Sequence, residues 1–304
     1  MVAHRAVEVS MNLGVELCGI PLATPLIPAA GTLSKEVLEE VAGVYGAMLP
    51  KTVTPEARVG NPPPRIAEAP SGMVNSIGLQ NPGLERFLNN LDDYDFGLPL
   101  FVSVAADTVG EFAAMCERLA GSEKVAAVEL NLSCPNVERG GLAFCAAGGA
   151  VAEVVVACRV AFPDKPLFAK LTSEGVVANA AAAEEAGVDA LTLINTIPAL
   201  VVDPHRRGGF QTRPYFLRGG LSGPAIKPVA LRAVYEVSRV VEIPVIGCGG
   251  VASGTDVAEF MLAGATAVQV GTGSFVREPR EILEEFATYL TENELRARDL
   301  AGLL

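Results

Sequence analysis

Eight short apolar runs alternate with segments of helical periodicity along this chain, and that alternation restricts the fold more than any other feature. The runs are Pro25–Ala29, Ala47–Lys51, Pro99–Val104, Ala127–Asn131, Leu167–Leu171, Ala190–Asn195, Pro244–Gly247 and Ala267–Val270. Each is short and nearly continuous in apolar residues, as strands covered on both faces of a parallel sheet are. Between them, apolar residues recur every three to four positions over Val109–Leu119, Ala150–Val160, Val177–Ala186, Val229–Val240 and Thr255–Leu262, the spacing of one helix face. The last of these runs into Ala263-Gly264, where a glycine closes a helix. Strand–helix repetition implies a parallel sheet, and eight such units close a TIM (β/α)8 barrel. No composition break or low-complexity linker divides the 304 residues. The expectation is therefore one barrel domain over 1–304, with residues 1–12 as an N-terminal extension.

Two stretches depart from the repeat, Thr52–Leu98 and Ile197–Ile226. Both follow strands, so in a barrel both rise from the carboxyl-terminal face, where the βα loops build the active site. Loops of this length are usually functional, and these are expected to cover the site. The first carries GNPPPR and NSIGLQNPG, a composition that fixes turns and leaves backbone groups available to a ligand.

Composition excludes several classes. Half the residues are hydrophobic, yet no uninterrupted apolar run approaches the roughly 18 residues of a membrane span. The N-terminal segment lacks the ordered zones of a secretory signal, so a cytoplasmic protein is expected. A formal charge of −12 disfavours nucleic-acid binding, which needs Lys and Arg on phosphates. The six cysteines stand singly with no C-x-x-C, so no metal is expected. The two histidines are His4, in the extension, and His205, in a charged segment read as a loop. A general base must then be sought among other side chains.

Strand ends supply a recurring kit: Lys51, Asn131 with Cys134, Lys170, and Asn195 with Thr196. All would face one mouth. Burying an ammonium without a partner is costly, so lysines at the ends of apolar strands point to a task. The segment AVELNLSCPN (Ala127–Asn136) ends a strand abruptly and hands on a thiol and two amides. By itself it leaves a buried thiol and a working one equally open.

Glycine clusters follow the last two strands, GCGG at Gly247–Gly250 and GTGS at Gly271–Ser274. Tight turns explain single glycines, but two clusters in these two places match the phosphate site of the barrel architecture. Gly247, Gly249 and Ala252 also satisfy G-x-G-x-x-A, but no acid stands near position 267, so binding of NAD by this chain is not expected. A phosphate site beside lysines and amides suggests FMN, with Lys170 stabilising negative charge on the reduced ring. Asparagines suit a substrate with amide edges, and Lys51 suits a carboxylate.

Taken in order, KTVTPEARVGNPPPR (51–65), NSIGLQNPG (75–83), ELNLSCPN (129–136), FAKL (168–171), INT (194–196), GGLSGPAIKP (219–228), PVIGCGG (244–250) and VQVGTG (268–273) resemble class 1 dihydroorotate dehydrogenase. The closer likeness is to the catalytic subunit of class 1B. The resemblance implies oxidation of dihydroorotate to orotate, with FMN as first electron acceptor and Cys134 as the base at C5. It assigns Lys51, Asn75, Ser76, Ile77, Gly78, Leu79, Asn131, Asn136, Asn195 and Thr196 to the substrate. Ala30, Lys51, Thr52, Ser103, Asn131, Lys170, Ile194, Gly223, Gly249, Gly250, Gly271 and Thr272 fall on flavin positions.

Two of these depart from the family pattern: Ser103 stands where an asparagine is expected, and Ala30 where relatives often carry serine. Each removes one polar contact of roughly 1 kcal/mol. Class 1B further implies a homodimer, or a heterotetramer with a partner subunit that carries FAD and a [2Fe–2S] cluster and reduces NAD. Ile77 and the GGLSGPAIKP form favour it over the fumarate-reducing class 1A. A non-redox, phosphate-binding aldolase or isomerase barrel is the remaining alternative.

Overall fold

The computed structural model describes residues 12–132, 148–207 and 214–304. An antiparallel hairpin comes first, β1 (Val15–Leu17) with β2 (Ile20–Leu22). Its turn residues Cys18 and Gly19 have φ of 51° and 79°, the left-handed backbone whose twist suits a two-residue hairpin. Burial and the nearby Asp189 charge push the Cys18 thiol up to about 12. It stays protonated and donates to the Asp189 carbonyl at 3.2 Å.

The barrel begins at β3 (Leu26–Pro28). β4 (Ile66–Ala69) and β5 (Gly72–Asn75) lie in the first long excursion, and β6 (Leu100–Val104), β7 (Val125–Asn131), β8 (Leu167–Leu171) and β9 (Ala190–Leu193) return to the barrel. β10 (Ile197–Arg207) and β11 (Pro214–Ser222) form the second excursion, before β12 (Val245–Cys248) and β13 (Ala265–Val270) complete the set. The central sheet runs β3-β13-β12-β9-β8-β7-β6, all parallel. Asp189 immediately precedes β9, so the β1–β2 hairpin is tied to the amino-terminal end of the barrel, opposite the strand ends that carry the site.

Seven of the eight expected runs are strands of this sheet. The remaining one, Ala47–Lys51, sits where the ring must close, between β3 and β6, but forms only isolated bridges from Met48 to Leu100 and Val53 to Val104. Gly46 N donates to Leu26 O at 2.8 Å on one side, and Val53 N to Ser103 O at 2.8 Å on the other. Pro50 has no N–H to give the ladder, which accounts for the gap between the two bridges. The sheet, curled and closed by this segment, is an α/β TIM barrel.

The five expected helical segments appear as helices Val109–Ala120, Gly148–Ala161, Val176–Ala186, Lys227–Val237 and Gly254–Leu262. The first starts in a capping box, with Thr108 Oγ1 accepting from Glu111 N and Glu111 Oε2 accepting from Thr108 N. Lys35–Val41 and Pro279–Glu292 add two more helices. All residues of β3, β6, β8, β9 and β12 are buried, as the apolar runs require.

Both excursions contain strands where loops were expected. They join in one antiparallel sheet, β10-β11-β5-β4. β10 escapes a hydropathy reading because its apolar residues are not all inside: Leu200 and Val202 are exposed, as one face of an antiparallel sheet can be. His205 accordingly lies in a strand and not in a loop. It is exposed, its N–H bonded to Asp203 Oδ1.

Candidate active site

The carboxyl-terminal ends of the barrel strands open into one cavity. Ala30, Lys51, Thr52, Asn131, Lys170, Ile194, Asn195 and Thr196 line it, together with Gly249, Gly250, Gly271 and Thr272. The excursions roof it: Gly220 of β11 pairs with Asn75 of β5, and Ser222 with Met73, which brings Asn75, Ile77, Leu79 and Gly223 to the same space. Asn75 Nδ2 donates to Gly220 O at 3.3 Å.

The amides arrive already oriented. Asn131 Oδ1 accepts from Asn195 Nδ2 at 3.1 Å, and Asn195 Oδ1 accepts from the Thr196 N–H at 2.8 Å. Asn131 Nδ2 lies 3.5 Å from Thr52 Oγ1, which in turn bonds Ser103 Oγ at 2.9 Å. Ser103 is fully buried behind Thr52, so it acts on the cavity through that hydroxyl.

Lys170 is 5% exposed. Its Nζ donates to Gln269 Oε1 at 2.8 Å. Burial works to lower its pKa, but the charges of Cys248 and Glu129 outweigh burial and the net direction is upward. The lysine is therefore a fixed cation at the cavity floor. Lys51 differs: burial and then the Arg65 guanidinium hold its pKa below the ordinary lysine value.

The glycines are bare where a side chain would not fit. Gly223, Gly249 and Gly250 have φ of 92°, 130° and 82°, left-handed values that favour glycine. A Cβ at Gly249 would lie 2.8 Å from Ala230 Cβ, and one at Gly250 2.7 Å from Lys227 Cβ. Among the described residues, the N–H groups of Gly249 and Gly250 donate to no protein acceptor. Amides left open beside a buried ammonium form an anion site of the kind that receives a phosphate.

Three predicted residues are not brought to the cavity surface: Ser103, already described, and Ser76 and Gly78. The Ser76 hydroxyl accepts from Asn61 Nδ2 at 3.0 Å, and Gly78 packs against Asn61. In the strand-like run 75–79, odd residues face the cavity and even ones face Asn61, an alternation of period two. Cys134 and Asn136 lie outside the described residues. Sequence reasoning missed Cys248, Met73, Ser222 and Phe275, which also line the cavity, and the buried pair Glu129 and Gln269 behind Lys170. A signal existed for that pair: each is a polar residue inside an otherwise apolar strand, AVELN and AVQV.

Comparison with known proteins agrees with this architecture. The family model described as dihydroorotate dehydrogenase matches residues 12–290. The chain is 44% identical over 276 residues to the dihydroorotate dehydrogenase B (NAD(+)) catalytic subunit of Anoxybacillus flavithermus, covering 87% of this chain and 86% of that one. It is 43% identical over 303 residues to the protein of the same description from Trichlorobacter lovleyi, covering 96% and 97%. The fold also matches that of the dihydroorotate dehydrogenase of Eimeria tenella, solved with ferulenol, at a TM-score of 0.80 and 23% identity over 96% of this chain and 88% of that one. With a barrel whose strand ends gather lysines, amides and bare glycines, and a family match over nearly its whole length, this oxidoreductase belongs to the dihydroorotate dehydrogenase family.

Proposed function

We propose that this chain oxidises dihydroorotate to orotate in pyrimidine synthesis, using FMN bound in the cavity. The observation that carries the reading is the convergence of Lys51, Asn75, Asn131 and Asn195 with Lys170 and the open glycine amides in a single space. The residues present fit FMN. Gly249, Gly250, Gly271 and Thr272 suit its phosphate, while Lys170, Thr52, Ile194, Gly223, Ala30 and Asn131 suit the ring and its tail, with Ser103 supporting Thr52. When bound, FMN supplies the acceptor for the hydride that leaves substrate C6.

Cys134 takes the proton from C5, so that loss of both hydrogens leaves the C5–C6 double bond of orotate. Lys51 holds the substrate carboxylate. Asn75, Asn131, Asn136, Asn195 and Thr196 meet its ureide and amide edges, each amide offering a donor and an acceptor in one plane. Electrons then leave through a partner subunit carrying FAD and a [2Fe–2S] cluster to NAD. Support for that route comes from the relatives, described as catalytic subunits of an NAD(+) enzyme, and from Ile77 on the cavity wall.

The purified chain is expected to be yellow, and its visible absorbance should bleach once on anaerobic addition of dihydroorotate, without sustained turnover on fumarate. A folded but colourless chain would overturn the flavin reading. Sustained turnover with fumarate alone would overturn the partner route.

Lys51 gives the substrate site a pH limit. Its ammonium is the charged partner of the carboxylate, and its pKa lies below that of free lysine because of burial and Arg65. Orotate affinity is therefore expected to be full at neutral pH and to fall as alkaline pH passes that lowered value, by roughly tenfold or more, the worth of a charge-assisted hydrogen bond. Titration of orotate binding against pH checks this. In Lys51→Met that alkaline break should vanish.

A further inference from the structure

Glu129 is a buried carboxylate that the proposed reaction does not use. It sits in β7 at 1% exposure, surrounded by apolar strand residues. Taking an ionised carboxylate out of water costs several kcal/mol unless it is compensated. Its Oε2 accepts from Thr192 Oγ1 at 2.8 Å and from Gln269 Nε2 at 2.7 Å. The other end of the Gln269 amide, Oε1, accepts from Lys170 Nζ at 2.8 Å. A chain of carboxylate, amide and ammonium thus crosses the barrel from β7 through β13 to β8.

The direction of this chain matters. A glutamine amide can be turned either way, showing its oxygen or its N–H groups to a neighbour. A carboxylate accepts only, so it captures the Nε2 end of Gln269 and leaves the oxygen for the ammonium. Thr192, from β9, is also a donor to the same oxygen, so both neighbours of Oε2 are arranged for an acceptor.

We propose that Glu129 is a positioning residue: acting through Gln269, it fixes the orientation of the Lys170 ammonium and keeps that cation charged at the floor of the cavity. What the cation then acts on rests on the flavin reading above; the chain itself does not.

Two titratable groups among the described residues face Lys170, Glu129 from β7 and Cys248 from β12. Burial pushes the Cys248 thiol up despite the lysine beside it, so at neutral pH it is an uncharged thiol. That leaves Glu129 as the countercharge. Gln269 from β13 and Thr192 from β9 carry no charge.

The test reads Lys170 directly, by NMR of chain labelled with 13C at the lysine ε-carbon, the Lys170 signal being assigned by its loss in Lys170→Met. In Glu129→Gln, which keeps the shape but removes the charge, Lys170 is expected to titrate lower than in the unmodified chain by at least about one pH unit. Gln269→Met, which removes only the bridge, should lower it by a smaller amount and serves if Glu129→Gln does not fold. Lys170 titrating at the same pH in the variants as in the unmodified chain would overturn the proposal. In chain carrying FMN, the flavin reduction potential of Glu129→Gln should gain a pH-dependent step that is absent from Lys170→Met. The lysine titration does not require flavin. A colourless chain would therefore sink the flavin reading, and an unmoved Lys170 signal would sink this one.

Discussion

Replacing Cys134 by serine is expected to slow reduction of the enzyme by dihydroorotate by at least about a hundredfold at neutral pH, while FMN stays bound. A positioned general base contributes on the order of 10² to 10⁴ in rate. A thiol ionises near pH 8.5, whereas a serine hydroxyl is essentially un-ionised in water at any pH the protein tolerates, so the variant keeps the shape but loses the base. Other groups do not replace it. Cys248 lines the cavity, but burial holds its thiol protonated; Cys116 and Cys158 are buried, and His205 is exposed on β10. Anaerobic stopped-flow at equal flavin content measures the effect, and a rate like that of the unmodified enzyme would remove Cys134 from the mechanism.

Lys170→Ala is expected to do two things together. It leaves Glu129 buried with no cation nearby, and removing one partner of a buried charge arrangement costs about 3–5 kcal/mol. It also takes the fixed positive charge from beside the proposed flavin ring. Urea unfolding should show the loss as a lower midpoint with an unchanged slope, and the flavin should be retained less well or reduced more slowly. Unchanged stability would mean that Glu129 is compensated by something other than the lysine. Unchanged flavin content and reduction rate would remove Lys170 from the cofactor site.

Much of the frame was legible along the chain. Parallel barrel strands are buried on both faces, so they appear as continuous apolar runs, and Leu167–Leu171 coincides with its predicted bounds. The run Ala47–Lys51 was found in the right place but given too much order, because Pro50 interrupts a ladder that hydropathy alone cannot see. β4, β5, β10 and β11 were read as loops. Their sequences are short, glycine-bearing or half-exposed, and they become strands only because two segments far apart in sequence pair at Gly220 and Asn75. The candidate site divides in the same way. Lysines, asparagines and glycine clusters announce themselves at strand ends, whereas Cys248 was taken for core and proved to border both Lys170 and the cavity.

By itself the sequence determined the barrel, its order of units, the family and the chemical kit at the strand ends, because periodicity and strand-end composition are local properties. Only the tertiary structure decided how those groups meet. It turned Ile77 and Leu79 inward and Ser76 away, put Ser103 behind Thr52, and joined Glu129, Gln269 and Lys170 across the barrel. The reason is physical: closing a sheet into a ring brings residues 140 positions apart, such as Glu129 and Gln269, within hydrogen-bonding distance, and no periodicity in the chain encodes that pairing.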